Sequence, residues 1–282
     1  MLAKALRLSL LLHATAGVAL FFWLLPDGAA RAAGLTLAIV AVFEIAPNAL
    51  ICVLSRVFAS PAPPGLKTGA WGGMLTFAEE TRAFFLLSRV YMPFEAFWLG
   101  PDAPAAGDGR PRVLLVHGYL CNRGFWIWLA PRLARAGWRV ATITLEPPFA
   151  DIERFADALH ERIERLTAES GGQPVLLVGH SMGGLVSRAY LRRYGAERVS
   201  RLITLGSPHS GTRLASFGLG RNARQMEVGN AWLAELNAAP LPVPATAVWS
   251  AHDTIVAPQD SARLPGAREI AVGGIGHLAM AF

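Results

Sequence analysis

The stretch PVLLVGHSMGGLVSRAY, residues 174–190, sets one serine, Ser181, among Gly179, Gly183 and Gly184. A serine hydroxyl is a poor nucleophile until geometry exposes it and a base takes its proton. PVLLV reads as a buried strand and GGLVSRAY as the start of a helix, with almost no chain between them. So sharp a turn crowds the positions two before and two after its apex. Glycine, with no Cβ, relieves that crowding, hence Gly179 and Gly183, with His180 completing the elbow. The apex residue then stands exposed at the sheet edge, at the positive end of the following helix, where Ser181 is placed to react.

The surrounding chain supplies the elements such a turn requires. From residue 112 onward, short apolar runs (RVLLVHG, WRVATITL, QPVLLVGH, VSRLITLGSP, PATAVWSAHD, GAREIAVGG) alternate with helical patterns. The helical patterns are FWIWLAPRLARAG, DIERFADALHERIERLTAE and MGGLVSRAYLRRYG. Nearly continuous apolar strands alternating with helices predict an α/β body, with a mostly parallel sheet covered on both faces. Reactive groups in such sheets collect at the carboxyl ends of the strands.

VHGY (116–119), GHSMGG (179–184), GSPHSGT (206–212), MEVGNAWLAELN (226–237), HDTIV (252–256) and GIGHLAM (274–280) resemble the α/β-hydrolases, and among them the bacterial triacylglycerol lipases and esterases. The resemblance runs from residue 112 to 282 and fails before it. It implies the chain order serine, acid, histidine. Asp253 follows the strand ATAVWS and His277 follows REIAV, where carboxyl ends of strands deliver them. Ser181 would attack an acyl carbonyl, His277 would carry the proton, and Asp253 would orient the imidazole. Asp260, expected at a helix start, is the rival acid. The oxyanion hole is expected from two backbone N–H groups, that of Met182 after the nucleophile and that of Tyr119 in the VHGY loop. Residues 210–242, the longest gap between strands, would form a lid-like insertion over an acyl site, with plain surface packing as the alternative.

The remaining histidines read more simply. His117 and His180 flank the site and hold loops by hydrogen bonds, as does His209, while His252 neighbours the acid. His13 would face a partner helix. No metal or other cofactor is expected, because no ligand spacing supports one. Cys121 reads as a small buried residue, and Cys52 and Cys121 build no disulfide framework.

The front of the chain is different. The 282 residues are 53% hydrophobic with a net charge of +6, mean hydropathy is +0.37 and the pI is near 10.0. No Lys/Arg run or aromatic–basic ladder accompanies the charge, so nucleic acid is not an expected partner. Leu8–Leu25 carries no formal charge and is long enough to cross a hydrocarbon core of roughly 30 Å. A second apolar run, Leu35–Val57, is interrupted by Glu44, Pro47 and Asn48. Three readings stay open: a hairpin of two transmembrane helices, a cleaved signal peptide ending near ARAA, or one span plus an interfacial helix. The hairpin leads, with Lys4 and Arg7 before it and Arg56 and Lys67 after it. That places the body on the cytoplasmic face of a bacterial-type inner membrane.

The expected organisation is an anchor over 1–60, a linker with an amphipathic helix over 61–111, and the hydrolase body over 112–282. The expected activity is a membrane-anchored serine ester hydrolase acting on lipid or other hydrophobic esters through an acyl-enzyme. An acyltransferase or thioesterase with the same triad is the nearest alternative, and a non-catalytic membrane scaffold the alternative of another class. Nothing in the sequence speaks to oligomeric state.

Overall fold

The computed structural model describes residues 1–102 and 111–282. The predicted linker at 101–111 therefore lies almost entirely outside the described residues. Four helices come first: α1 (Leu2–Leu24), α2 (Ala29–Val57), α3 (Ala70–Phe85) and the short α4 (Glu95–Leu99). The body then alternates β1 (Arg112–Val116), α5 (Leu129–Arg135), β2 (Arg139–Ile143), α6 (Ile152–Glu169), β3 (Val175–His180), α7 (Met182–Tyr194) and β4 (Val199–Leu205). Two short helices follow, α8 (Arg221–Gln225) and α9 (Ala231–Ala238), and then β5 (Ala245–Ser250) and β6 (Arg268–Val272).

The six strands form one sheet in the order β2-β1-β3-β4-β5-β6, and every neighbouring pair is parallel. Val116 pairs with Gly179 and Gly179 with Thr204, which brings the carboxyl ends of the three central strands side by side. The core lies mainly between sheet and helices. On α6, Ile152, Phe155, Leu159, Ile163 and Leu166 are buried at helical spacing, a stripe facing the sheet. Asp151 starts that helix by accepting a hydrogen bond from the Glu153 N–H at 2.9 Å. Helix α7 is buried over most of its length, as a central crossover helix must be.

One predicted helix is broken. FWIWLAPRLARAG forms a single 3₁₀ turn at Arg123–Trp126 and then the short α5. Asn122 caps the first piece by accepting from Gly124 N–H at 2.9 Å. Pro131 lies in the first turn of the second, where its missing N–H costs nothing.

The front end is two long helices joined by a tight turn at Leu25–Asp27 and Gly28, whose φ of 103° suits glycine. The second helix begins at Ala29, earlier than the apolar run suggests, because the intervening alanines continue it. Both helices are long and apolar enough to cross a membrane. Their apolar side chains face outward: Trp23 is 76% exposed and Leu37 70%. The polar interruptions of α2 are partnered. Glu44 forms a two-pronged ion pair with Arg89, whose Nη2 lies 2.6 Å from Oε1, and Asn48 donates to Thr81 Oγ1 at 2.7 Å. Pairing of this kind offsets the cost of a polar group among apolar ones. His13 departs from expectation. It is exposed and bonds to its own helix, at the Ser9 carbonyl 2.7 Å away.

Candidate active site

Ser181 stands between β3 and α7 with φ 55° and ψ −125°. Its N–H donates to the Leu205 carbonyl at 2.9 Å, tying the turn to β4. The flanking glycines are required by backbone. A Cβ on Gly179 would stand 2.6 Å from Gly184 N, and one on Gly183 would drive into the carbonyls of Val116 and His117. Gly184 is equally constrained, against the Ser207 side chain. Gly179, His180, Ser181 and Gly183 thus form one tight strand-to-helix turn.

Asp253 lies just past β5 and His277 just past β6. The His277 Nδ1–H donates to Asp253 Oδ2 at 2.9 Å. The other oxygen, Oδ1, accepts the N–H groups of Ile255 at 2.8 Å and Val256 at 2.7 Å. Both side chains are buried, at 1% and 3% exposure. Burial pulls the His277 imidazole down, but the charge and hydrogen bond of Asp253 and the charge of Glu80 outweigh it and hold it above its ordinary value. The rival acid Asp260 sits exposed in the 3₁₀ turn Gln259–Ala262, its N–H bonded to Ser60 Oγ. It takes no part in this arrangement.

His277 is brought to the elbow by His180. The His180 Nε2–H donates to the His277 carbonyl at 3.0 Å, and the two ring centroids are 4.5 Å apart. His180 also stacks on Phe125 at 4.3 Å. Burial, and after it the charge on His277, push the His180 pKa well below the usual value, so it stays neutral. His117 is lowered to about 4 by burial. It donates from Nδ1 to the Gly118 carbonyl and accepts the Leu145 N–H at Nε2, 2.9 Å away. His209 is held between Arg188 and Thr204. These three act as loop fasteners, and His252 similarly joins Thr68 to Gly274 N–H. Cys121 is buried, which pushes its thiol up to about 12. Among the described residues no cluster of three or more His, Cys, Asp and Glu side chains has metal-ligating geometry.

The loop after β1 approaches the nucleophile closely. A Cβ on Gly118 would lie 2.8 Å from Ser181 Cβ, so Tyr119 follows directly on a backbone in contact with the serine. Leu120 has φ 51°, and apart from Ser181 it is the one described non-glycine residue with positive φ. Strain in two adjoining loops marks the site. Met182 is the first residue of α7, and its N–H has no partner inside that helix. The Tyr119 side chain has a further use that the sequence did not suggest: its hydroxyl contacts both the N–H and the carbonyl of Leu219, at 2.9 and 2.8 Å, fastening residues 218–220 across the loop.

Ser181 and His277 line a cavity of about 550 Å³. One wall comes from the insertion at 210–242, through Leu214, Phe217 and Met226. Further lining comes from the front end, through Leu2 and Leu6 of α1, Ile51 and Leu54 of α2, and Phe84 of α3. Sequence reading missed this further lining, because those residues lie in segments that looked like an anchor and a linker. It also missed Glu80. Its only trace was helical spacing: Thr76, Glu80 and Ala83 share the buried face of α3.

Residues 111–228 match the alpha/beta hydrolase fold family. A triacylglycerol lipase of Pseudarthrobacter phenanthrenivorans is 38% identical over 116 residues, covering 38% of this chain and 36% of the lipase. A norfluorocurarine synthase 1 of Strychnos is 32% identical over 111 residues, covering 36% of this chain and 41% of that protein. The chain thus spans well under two thirds of the length of the relatives it matches. In three dimensions the mature lipase BlEst2 of Bacillus licheniformis superposes with a TM-score of 0.57 at 20% identity, over 65% of this chain and 91% of that one. Lipase B of Aspergillus fumigatus gives 0.57 at 20% identity, over 64% and 52%. The sheet order, the elbow and these matches agree: the body of this chain has the α/β-hydrolase fold and is similar to the triacylglycerol lipases.

Proposed function

We propose that the protein is a membrane-anchored serine ester hydrolase that cleaves acyl esters of lipids or other hydrophobic alcohols. The observation that supports this most is the pairing of His277 with Asp253 at an apolar cavity that Ser181 and His277 both line. The His277 Nε2 takes the Ser181 proton as Oγ attacks the ester carbonyl, and passes it to the departing alkoxide, which leaves as the alcohol. The same nitrogen then takes a proton from water. The resulting hydroxide attacks the acyl-enzyme, returning Ser181 and releasing the carboxylic acid. Asp253 fixes the tautomer and stabilises the imidazolium. The N–H groups of Met182 and Tyr119 receive the oxyanion, and losing one such donor costs on the order of 3 kcal/mol.

The outward apolar faces of α1 and α2 fit lipid, and Lys4, Arg7, Arg56 and Lys67 set both ends of that hairpin on the cytoplasmic side. A cavity of this size lies in the range of about 300–1,000 Å³ seen for small-molecule sites, and its apolar walls suit an acyl chain.

The test is a chain-length series of nitrophenyl esters, with a phospholipid and a triglyceride, on wild type and Ser181→Ala. Turnover by wild type and loss of both turnover and fluorophosphonate labelling in the variant are expected. Labelling that persists in Ser181→Ala removes the serine from its role. Product ester formed on adding an alcohol acceptor would favour acyl transfer over hydrolysis.

A further inference from the structure

Glu80 is a buried carboxylate from outside the matched hydrolase region. It lies on α3 and is 1% exposed. Its two oxygens are filled by the loops that carry Asp253 and His277. Thr254 Oγ1–H donates to Oε1 at 2.8 Å. The Leu278 N–H donates to Oε1 at 2.9 Å and to Oε2 at 3.1 Å, and the Ala279 N–H to Oε2 at 3.1 Å. Thr254 Oγ1 in turn accepts the His277 N–H at 3.3 Å. Gly276 has no Cβ because one there would strike the Glu80 carboxylate. A lone acid buried on a helix face is costly unless its hydrogen bonds are met. Here they are met by the residue after Asp253 and the two residues after His277.

We propose that Glu80 is a positioning residue for His277: it clamps the loops of the acid and the base to α3, and so makes the triad depend on the front of the chain. This rests on the serine-hydrolase reading above. The dependence reaches α2, because Thr81, next to Glu80, accepts from Asn48 at 2.7 Å. A displacement of about 1 Å in a reacting group can cost 10²-fold in rate, so a clamp on the backbone of the base has leverage. Charge adds to geometry. The groups facing His277 are Asp253 from the loop after β5, Glu80 from α3 and His180 at the end of β3. His277, and Cys52 on α2, lie within electrostatic reach of Glu80. Burial raises the pKa of Glu80, against its hydrogen bonds and the charge of His277. When ionised it favours the imidazolium that forms during attack.

The experiment uses the full-length detergent-solubilised protein and the variants Glu80→Gln, Glu80→Ala and Thr254→Val, with a short nitrophenyl ester. In both Glu80 variants kcat is expected to fall about 10–100-fold, with KM changed less than about twofold, as a positioning rather than binding role requires. In Glu80→Gln the acid limb of kcat/KM moves to lower pH, because a negative charge that held the His277 proton is gone. Thr254→Val keeps the carboxylate, so it lowers kcat but leaves the limb in place. Wild-type kcat and limb in a folded Glu80→Gln overturn the proposal. So does a loss of kcat that follows thermal stability alone with the limb unmoved. Should Glu80→Ala not fold, the other two variants decide. A wild type that fluorophosphonate does not label defeats the serine-hydrolase reading itself; a labelled wild type with indifferent variants defeats only the role of Glu80.

Discussion

The His277 Nδ1–H lies 2.9 Å from Asp253 Oδ2, in a pair that the solvent barely reaches. The carboxylate outweighs the burial that would otherwise discharge the ring, and the imidazole titrates above its ordinary value near 6.5. A base works only when deprotonated. Ester hydrolysis is therefore expected to rise with pH through an inflection above 6.5, and to fall as pH drops through it. Asp253→Asn leaves burial dominant and removes the tautomer lock, so turnover should fall by about 10⁴-fold. A pH–rate profile of kcat/KM on a soluble ester reads the first effect, and single-turnover kinetics of the variant the second. A loss below tenfold would strip Asp253 of its role.

The lining of the cavity makes a second prediction. Ile51 and Leu54 of α2 line the same cavity as Ser181. Ile51→Trp should fill part of it. Hydrolysis of long-chain nitrophenyl esters should drop by tenfold or more while acetate and butyrate esters are nearly unaffected, because only the longer chains need that volume. Equal loss on all chain lengths would mean that the acyl group lies elsewhere.

Much of the body was legible because its signals are local. The strands around Leu114 and Leu177 are short apolar runs, the stripe on α6 has helical spacing, and Gly179 and Gly183 are dictated by a turn of a few residues. Asp253 and His277 lie past the ends of β5 and β6, the positions that the resemblance implies for them. What the sequence hid was long-range. Glu80 binds Thr254, Leu278 and Ala279 across almost two hundred residues, and nothing in TFAEETRAFF distinguishes it from the exposed Glu79 except its face of the helix. Ile51 likewise falls in the run that reads as a membrane span, and only the packed structure turns it toward the site. Glu44 and Asn48 interrupt the apolar pattern of the second helix, and their partners Arg89 and Thr81 lie far along the chain, where no local pattern points to them.

The glycines of the elbow separate two kinds of crowding. At Gly183 an added Cβ meets backbone, the Val116 and His117 carbonyls, which β1 fixes in place. At Gly184 it meets side chains, Ser207 most closely, with Thr204 Cγ2 at 2.9 Å. Gly183→Ala is expected to cost about 1–3 kcal/mol or more as an overpacked site with no room to yield, and to abolish labelling of Ser181. Gly184→Ala should also destabilise, but Ser207→Gly in the same chain should restore part of the loss. Thermal melts of the two single variants, and of each combined with Ser207→Gly, check this. Rescue of Gly183→Ala by Ser207→Gly, or absence of rescue for Gly184→Ala, would contradict the assigned contacts.

The last prediction concerns the front helices. Their outward faces carry Leu8, Leu12, Phe22, Trp23, Leu37, Val42 and Phe43, all largely exposed. If lipid covers those faces, the protein held in membranes should resist extraction by high salt and by alkaline carbonate, since neither weakens apolar burial, and should yield to detergent. Recovery of the intact chain in the carbonate supernatant would remove the anchor. The same helices supply Leu2, Leu6, Ile51 and Leu54 to the cavity and Asn48 to the Thr81 contact. Deleting residues 1–57 should therefore release the body from the pellet and also cost long-chain ester turnover by tenfold or more, with a lower melting temperature. An anchor with no other role would instead release a body whose turnover on every chain length matched the full-length protein in detergent. The two outcomes are separated by one activity series on the soluble fraction.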